Sequence, residues 1–128
     1  MAAINLDTAA RLDITCRKGD TFLLELDFGQ AIPTSGWSMH VRETDTSEGE
    51  DNILIPDDQI AFTISDNSSG VTNAQLSILI LFSTMEDIES GMFVYDIQNT
   101  SKVASLGGQS VKTYLFGLFK VNEDVTVI

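Results

Sequence analysis

Few residues of this 128-residue chain are of types that do chemistry at neutral pH, and their spacing restricts that chemistry further. His40 is the single histidine and so the one side chain whose ordinary pKa suits a general base near pH 7. In Trp37-Ser38-Met39-His40-Val41-Arg42 it alternates with Trp37, Met39 and Val41, which predicts a position on the opposite strand face, toward solvent or a partner. A Ser-His-Asp triad would depend on His40 entirely, yet the chain has no Gly-x-Ser-x-Gly elbow and no local Cys-His arrangement. Cys16 is the single cysteine, which excludes an intramolecular disulfide and a Cys-based zinc site; one histidine excludes His-pair metal sites. In or beside an early strand, Cys16 is expected to be a small buried hydrophobe.

Acidic side chains are the remaining candidates. Asp45, Glu48, Glu50 and Asp51 share one segment and Asp57-Asp58 another, but neither follows the fixed alternation of oxygen ligands in an EF-hand loop. They are expected to be solvated acidic loops. Asp66-Asn67-Ser68-Ser69-Gly70 reads as a turn, and Gly107-Gly108 lacks the Lys-Ser/Thr ending of a phosphate-binding loop. No catalytic residue, no cofactor-binding residue and no metal ligand is therefore assigned; the chain is expected to be no enzyme and to need no cofactor. Two competing readings are a hydrolase using His40 and a receptor- or carbohydrate-binding module that stacks sugars on Trp37 or Tyr114.

Nineteen acidic residues against seven basic give a formal net charge of −12. That balance argues against nucleic-acid binding through phosphates, which needs clustered Lys and Arg, and against attraction to an anionic membrane surface. The opening residues, Met1 to Asp7, have no basic stretch followed by an apolar run, and the longest apolar stretch, Leu76 to Phe82, is far below the roughly 20 residues that cross a bilayer. A soluble protein is expected. The 43% of apolar residues can build the core of one domain.

The elements that must position these residues are strands. Period-2 alternation runs through Asp20 to Phe28, Trp37 to Arg42, Ile60 to Ile64, Ala74 to Ile80, Phe93 to Gln98 and Leu115 to Val121, with an early strand over Leu12 to Arg17. Lys18-Gly19-Asp20, Gly29 to Gly36 and Asn67 to Gly70 separate them, Thr44 to Asp51 is an acidic loop, and Ser101 to Ser110 is expected to be a mobile hairpin or loop. Ser83-Thr84-Met85-Glu86 has capping-box spacing, with Ser83 as N-cap of a short helical turn that Gly91 ends. The predicted fold is all-β: a single antiparallel β-sandwich, immunoglobulin-like, of residues 12–128, with one short helical turn near residues 83–90 and an N-terminal arm of residues 1–11. Phe22, Phe62, Phe93, Tyr95 and Phe119 are assigned to its core, and Gly117 marks a bulge or the close approach of another backbone. Leu76 to Phe82 is apolar on both faces, as are Phe116 and Leu118 against Leu115 and Phe119. Such faces need cover, which predicts a homo-oligomer or larger assembly.

The order of the turns and strands carries a resemblance. Arg17-Lys18-Gly19-Asp20-Thr21-Phe22 opens a strand, Ile32-Pro33-Thr34-Ser35-Gly36-Trp37 leads into Met39-His40-Val41-Arg42, then come Gly91-Met92-Phe93-Val94-Tyr95-Asp96-Ile97-Gln98 and Gly117-Leu118-Phe119-Lys120-Val121 with Asp124-Val125-Thr126. Over about Arg17 to Val127 this resembles small β-sandwich structural proteins of tailed bacteriophages, of the tail, baseplate or fibre-attachment type. Lys18 interrupts the family's Arg-Gly-Asp-Thr, and Ser35 stands for the Thr of its Thr-Gly turn. The resemblance implies a non-enzymatic virion component made in the host bacterial cytoplasm, with other virion proteins as partners; related sandwiches also serve at necks and as capsid decoration. It also implies turn roles for Gly19 and Gly36, a core role for Trp37, and a strand in which Tyr95 and Asp96 tie down a neighbour.

Overall fold

The alternating apolar residues become strands because a pleated strand turns successive side chains to opposite faces, and one face here can be buried throughout. In the computed structural model, which describes residues 9–44 and 53–123, eight strands form two sheets. The strands are β1 (Ala10–Arg11), β2 (Ile14–Arg17), β3 (Phe22–Asp27), β4 (Trp37–Arg42), β5 (Ile60–Ser65), β6 (Gln75–Ile80), β7 (Gly91–Val103) and β8 (Gly108–Asn122). One sheet has the order β1-β8-β7-β4, with β2 also on β8; the other has the order β3-β6-β5. The chain is all-β, with a single α-helical turn, α1 (Phe82–Met85), among the described residues.

The inward faces of both sheets meet in one core. Phe22 of β3, Leu76, Ile78 and Ile80 of β6 and Ile60 of β5 pack with Met39 and Val41 of β4, Tyr95 and Ile97 of β7, and Leu115, Phe119 and Val121 of β8. The rings of Phe22 and Phe119 touch across the layers, 5.6 Å between centroids. Ile32, Ile55, Met85 and Ile88, from the connections, plug the open sides. Each of these larger apolar side chains contributes about 1.5–3 kcal/mol on burial. Phe62 and Phe93 pack against the core half-buried.

Two expectations change in detail and two open alternatives are settled. The early strand expected over Leu12 to Arg17 starts only at Ile14, as β2, and a separate β1 precedes it: β1 pairs Ala10 with Leu115, β2 pairs Ile14 with Phe119, and both run parallel to β8 rather than antiparallel. At the break, Asp13 Oδ1 accepts the Leu118 backbone N–H at 3.0 Å. Second, Ser83 is no N-cap. The extended Leu81 precedes α1, no side chain caps it, and Ser83 sits inside the turn, whose end at Met85 comes well before Gly91. Third, Ser101 to Ser110 is largely ladder: β7 and β8 stay paired to Val103 and Gly108, leaving a turn of only four residues between them. Fourth, Gly117 marks a close approach and no bulge, since a Cβ there would fall on the Leu12 carbonyl; the register irregularity of this hairpin lies at Ile97/Gln98. Of the N-terminal arm, residues 1–8 lie outside the described residues, and Ala10 and Arg11 form β1.

The Asn67 turn is as its composition suggests. Its buried side-chain oxygen accepts the N–H groups of Ser69 and Val71, and its amide donates to Asp27 Oδ1 at 3.1 Å. Asp27 also accepts the Gly29 N–H, so one polar cluster fixes the ends of β3 and β5 together.

Candidate functional site

His40 stands where its parity placed it, on the outer face of the larger sheet, directly opposite Asp96 of β7. Its Nε2 is 3.4 Å from Asp57 Oδ1. Asp96 is half-buried: Oδ2 accepts the Gln98 amide at 3.3 Å, while Oδ1 is shielded from solvent without a hydrogen-bond partner. Burial pushes the Asp96 carboxyl above the usual carboxylate range, and the neighbouring His40 and Arg42 work against that rise. The pairing of β4 with β7 sets His40 opposite Asp96, and the 3-10 turn Asp57–Gln59 brings a second carboxylate, Asp57, to the same imidazole. Such a cluster can exchange a proton.

Cys16 is half-buried in β2 and directs its thiol at the Lys120 carbonyl, 3.6 Å away. Burial first, and Asp20 second, push the thiol up to about 11, which favours its protonated form. Among the described residues no group of three or more His, Cys, Asp or Glu side chains is placed to hold a metal ion. Asp45, Glu48, Glu50 and Asp51 lie outside the described residues, and Asp57 and Asp58 form an exposed 3-10 turn over Asp57–Gln59.

Trp37 and Tyr114 do not form an open platform. Their rings pack on each other at 4.8 Å and both touch Phe28; Lys112 Nζ lies 4.7 Å from the Tyr114 centroid, and the Trp37 indole N–H donates to the Pro33 carbonyl at 2.7 Å. Both rings are half-buried. This trio closes the end of the sandwich from which the β7–β8 hairpin leaves.

The surfaces left uncovered are apolar or extended. β4 accompanies β7 only as far as Asn99, and the last tie is the Thr100 N–H to the Gly36 carbonyl at 2.9 Å. Gly36 has φ +87°, and a Cβ on it would fall on the Thr100 carbonyl, so this crossing requires glycine. The buried Asn99 amide donates to the Ser35 carbonyl at 2.8 Å and fixes the base of the projection. Beyond it the hairpin is a bare two-stranded ribbon in which every residue from Ser105 to Lys112 is exposed, Leu106 at 82% and Val111 at 57%. A second uncovered patch consists of Leu23, Leu81 and Phe82, each more than half exposed. The excess apolar residues of Leu76 to Phe82 signalled this patch; Leu23, a mate of Leu79 across β3 and β6, was not singled out from sequence. Phe116 and Leu118, the other predicted pair, are half-buried opposite Asp96 and Val94.

The Tyr95 hydroxyl donates to the Leu12 carbonyl and so ties the β1–β2 break to β7; burial, with Asp13 nearby, raises its pKa to about 12. No protein-family model matches the chain, and no curated protein matches it either. Among the described residues no helix is long and apolar enough to cross a membrane.

Proposed function

We propose that the chain is a non-enzymatic structural protein of a bacteriophage virion that works by protein–protein assembly. The observation that carries the assembly reading is the β7–β8 ribbon. The body of the sandwich buries its own core, yet the hairpin continues past it and holds Leu106 and Val111 in water. An isolated two-stranded ribbon is marginal on its own, and exposed apolar side chains at its base and tip favour a bound state. The virion reading is supported by the four ordered motifs of the sequence. They fall at the β2–β3 turn, at the Gly36 crossing into β4, along β7 and, for Gly117 to Val121, in β8. A tail, baseplate, neck or fibre-attachment position fits this reading, with decoration of the capsid as its variant.

Mass spectrometry of purified virions tests it. The expected result is this chain in a fixed multiple relative to the major tail or capsid subunit. A chain that is expressed during infection but missing from purified particles refutes the reading.

A further inference from the structure

The two uncovered surfaces lie at opposite ends of the sandwich. Phe22, at the start of β3, touches Phe119 near the end of β8, whereas Phe28, just past β3, touches Tyr114, where the ribbon begins. Leu23 pairs with Leu79 at the Phe22 end, and Leu81 continues the same outward parity one step further, a diagonal neighbour of Leu23 at about 7–8 Å. The ribbon runs the other way: about 10 Å of free ladder past Thr100, at roughly 3.4 Å per residue, and then its turn. Its own apolar patch is thus out of its reach.

Charge divides along the same axis. From Ile97 to Phe119 the sequence has two lysines, Lys102 and Lys112, and no acidic residue, while the rest of the chain has five basic residues against nineteen acidic. The segment Leu81 to Ser90 holds Glu86, Asp87 and Glu89 with no basic residue, all three exposed, and Glu25 follows Leu23 on the outward face of β3. An apolar ribbon with Lys112 at its base thus has its complement in an apolar patch beside which the carboxylates outnumber the basic Arg17 and Lys18 of the β2–β3 turn. β3 and β5 are the outer strands of their sheet, so the β3 edge beside the patch also offers backbone groups to an incoming strand.

We infer that the ribbon of one copy docks on the Leu23/Leu81/Phe82 patch of the next copy, so that the chain associates head to tail. The partner is a second copy because the chain itself carries both complementary surfaces, and the contact is heterologous because they are at opposite ends. The lysine–carboxylate pairs orient the encounter, and Leu106 and Val111 supply the buried area. The inference rests on the assembly reading and specifies its geometry.

Two variants and their mixture test it, each checked by circular dichroism for an intact fold. Sedimentation of the wild-type chain over a concentration series should show species beyond the dimer, weakened several-fold by high salt as the ion pairs are screened. Leu106→Glu removes the ribbon tip and Leu81→Glu removes the patch; each alone should lower self-association at least roughly tenfold. Leu23→Glu, elsewhere on the patch, should behave as Leu81→Glu does. Mixed, the Leu106→Glu and Leu81→Glu chains should form a 1:1 heterodimer and nothing larger, because one intact ribbon meets one intact patch. A wild-type chain that stays monomeric, a patch variant that associates like wild type, or a mixture that stays two monomers overturns the inference. Assembly through other surfaces would overturn it while leaving the virion reading intact; absence of the chain from virions would overturn that reading whatever the mixture does.

Discussion

The inner and outer halves of the β7–β8 hairpin share one backbone ladder and differ in everything else. Before the irregularity at Ile97/Gln98, Tyr95, Ile97, Leu115, Phe119 and Val121 alternate into the core, with β4 on one flank and β1–β2 on the other. After it, Ser105 to Lys112 expose every side chain, and no third strand among the described residues runs beyond Thr100. Ladder hydrogen bonds exchange for water at a net gain of only about 0.5–1.5 kcal/mol each, so it is side-chain burial that separates the halves. The inner half holds the fold; the outer half is carried by it and is free to serve a partner.

Substitutions along this one hairpin should sort accordingly. Phe119→Ala, which empties a fully buried site touching Phe22 and Tyr95, should lower unfolding stability by about 3–5 kcal/mol in a denaturant titration, enough to leave a marginal domain mostly unfolded. Gly117→Val should cost about 2–3 kcal/mol by driving a side chain into the Leu12 backbone; hydrogen exchange should show β1 and β2 opening before the rest. Tyr95→Phe removes the hydroxyl bond to Leu12 and should cost about 1 kcal/mol. The native Tyr95 keeps its proton up to about pH 12, whereas in the unfolded chain it is lost near the ordinary value of 10. Stability of the parent should thus fall as pH rises through that window, and less so in Tyr95→Phe.

Smaller effects sharpen the contrast. Asp96 has its carboxyl raised by burial, so the native state holds a proton that the unfolded chain releases, and stability falls as pH rises from the usual carboxylate value. Asp96→Asn should flatten that slope and change stability at pH 7 by at most about 1 kcal/mol, the carboxylate being half open to solvent. Leu106→Glu should leave the thermal unfolding midpoint unchanged, within about 0.5 kcal/mol, while weakening self-association. A loss comparable to that of Phe119→Ala would break the comparison, for it would make the ribbon part of the core.

Legibility from the sequence follows the same division. Strands β3, β4, β5 and β6 were readable because each has an apolar residue at every second position, as in Phe22-Leu24-Leu26. The ribbon was not, because Thr100 to Val111 alternates no apolar face, and its strands are set by continuation of the inner ladder. The parallel pairing of β2 with β8 joins residues about a hundred positions apart, which no local pattern encodes. His40 was placed on its face by parity, but its neighbours come from other elements: Asp96 emerges only with the register of β4 on β7, and Asp57 only with the placing of the 3-10 turn before β5. The Leu81/Phe82 part of the patch could be anticipated from the surplus of apolar residues; its acidic rim on α1 and the turn after it depended on where that turn ended.

The parallel seam between β2 and β8 sets the timing of folding. Its strands lie near the two ends of the described chain, and Cys16 lies beside Val121 in the finished sheet. During synthesis one strand of this seam emerges about a hundred residues before its mate, so the larger sheet has no means of closing until β8 has emerged. Until then the apolar faces of β3, β5 and β6 wait without the layer that covers them. A chain dominated by such distant pairings folds slowly, and its dense negative charge keeps nascent copies apart during that wait.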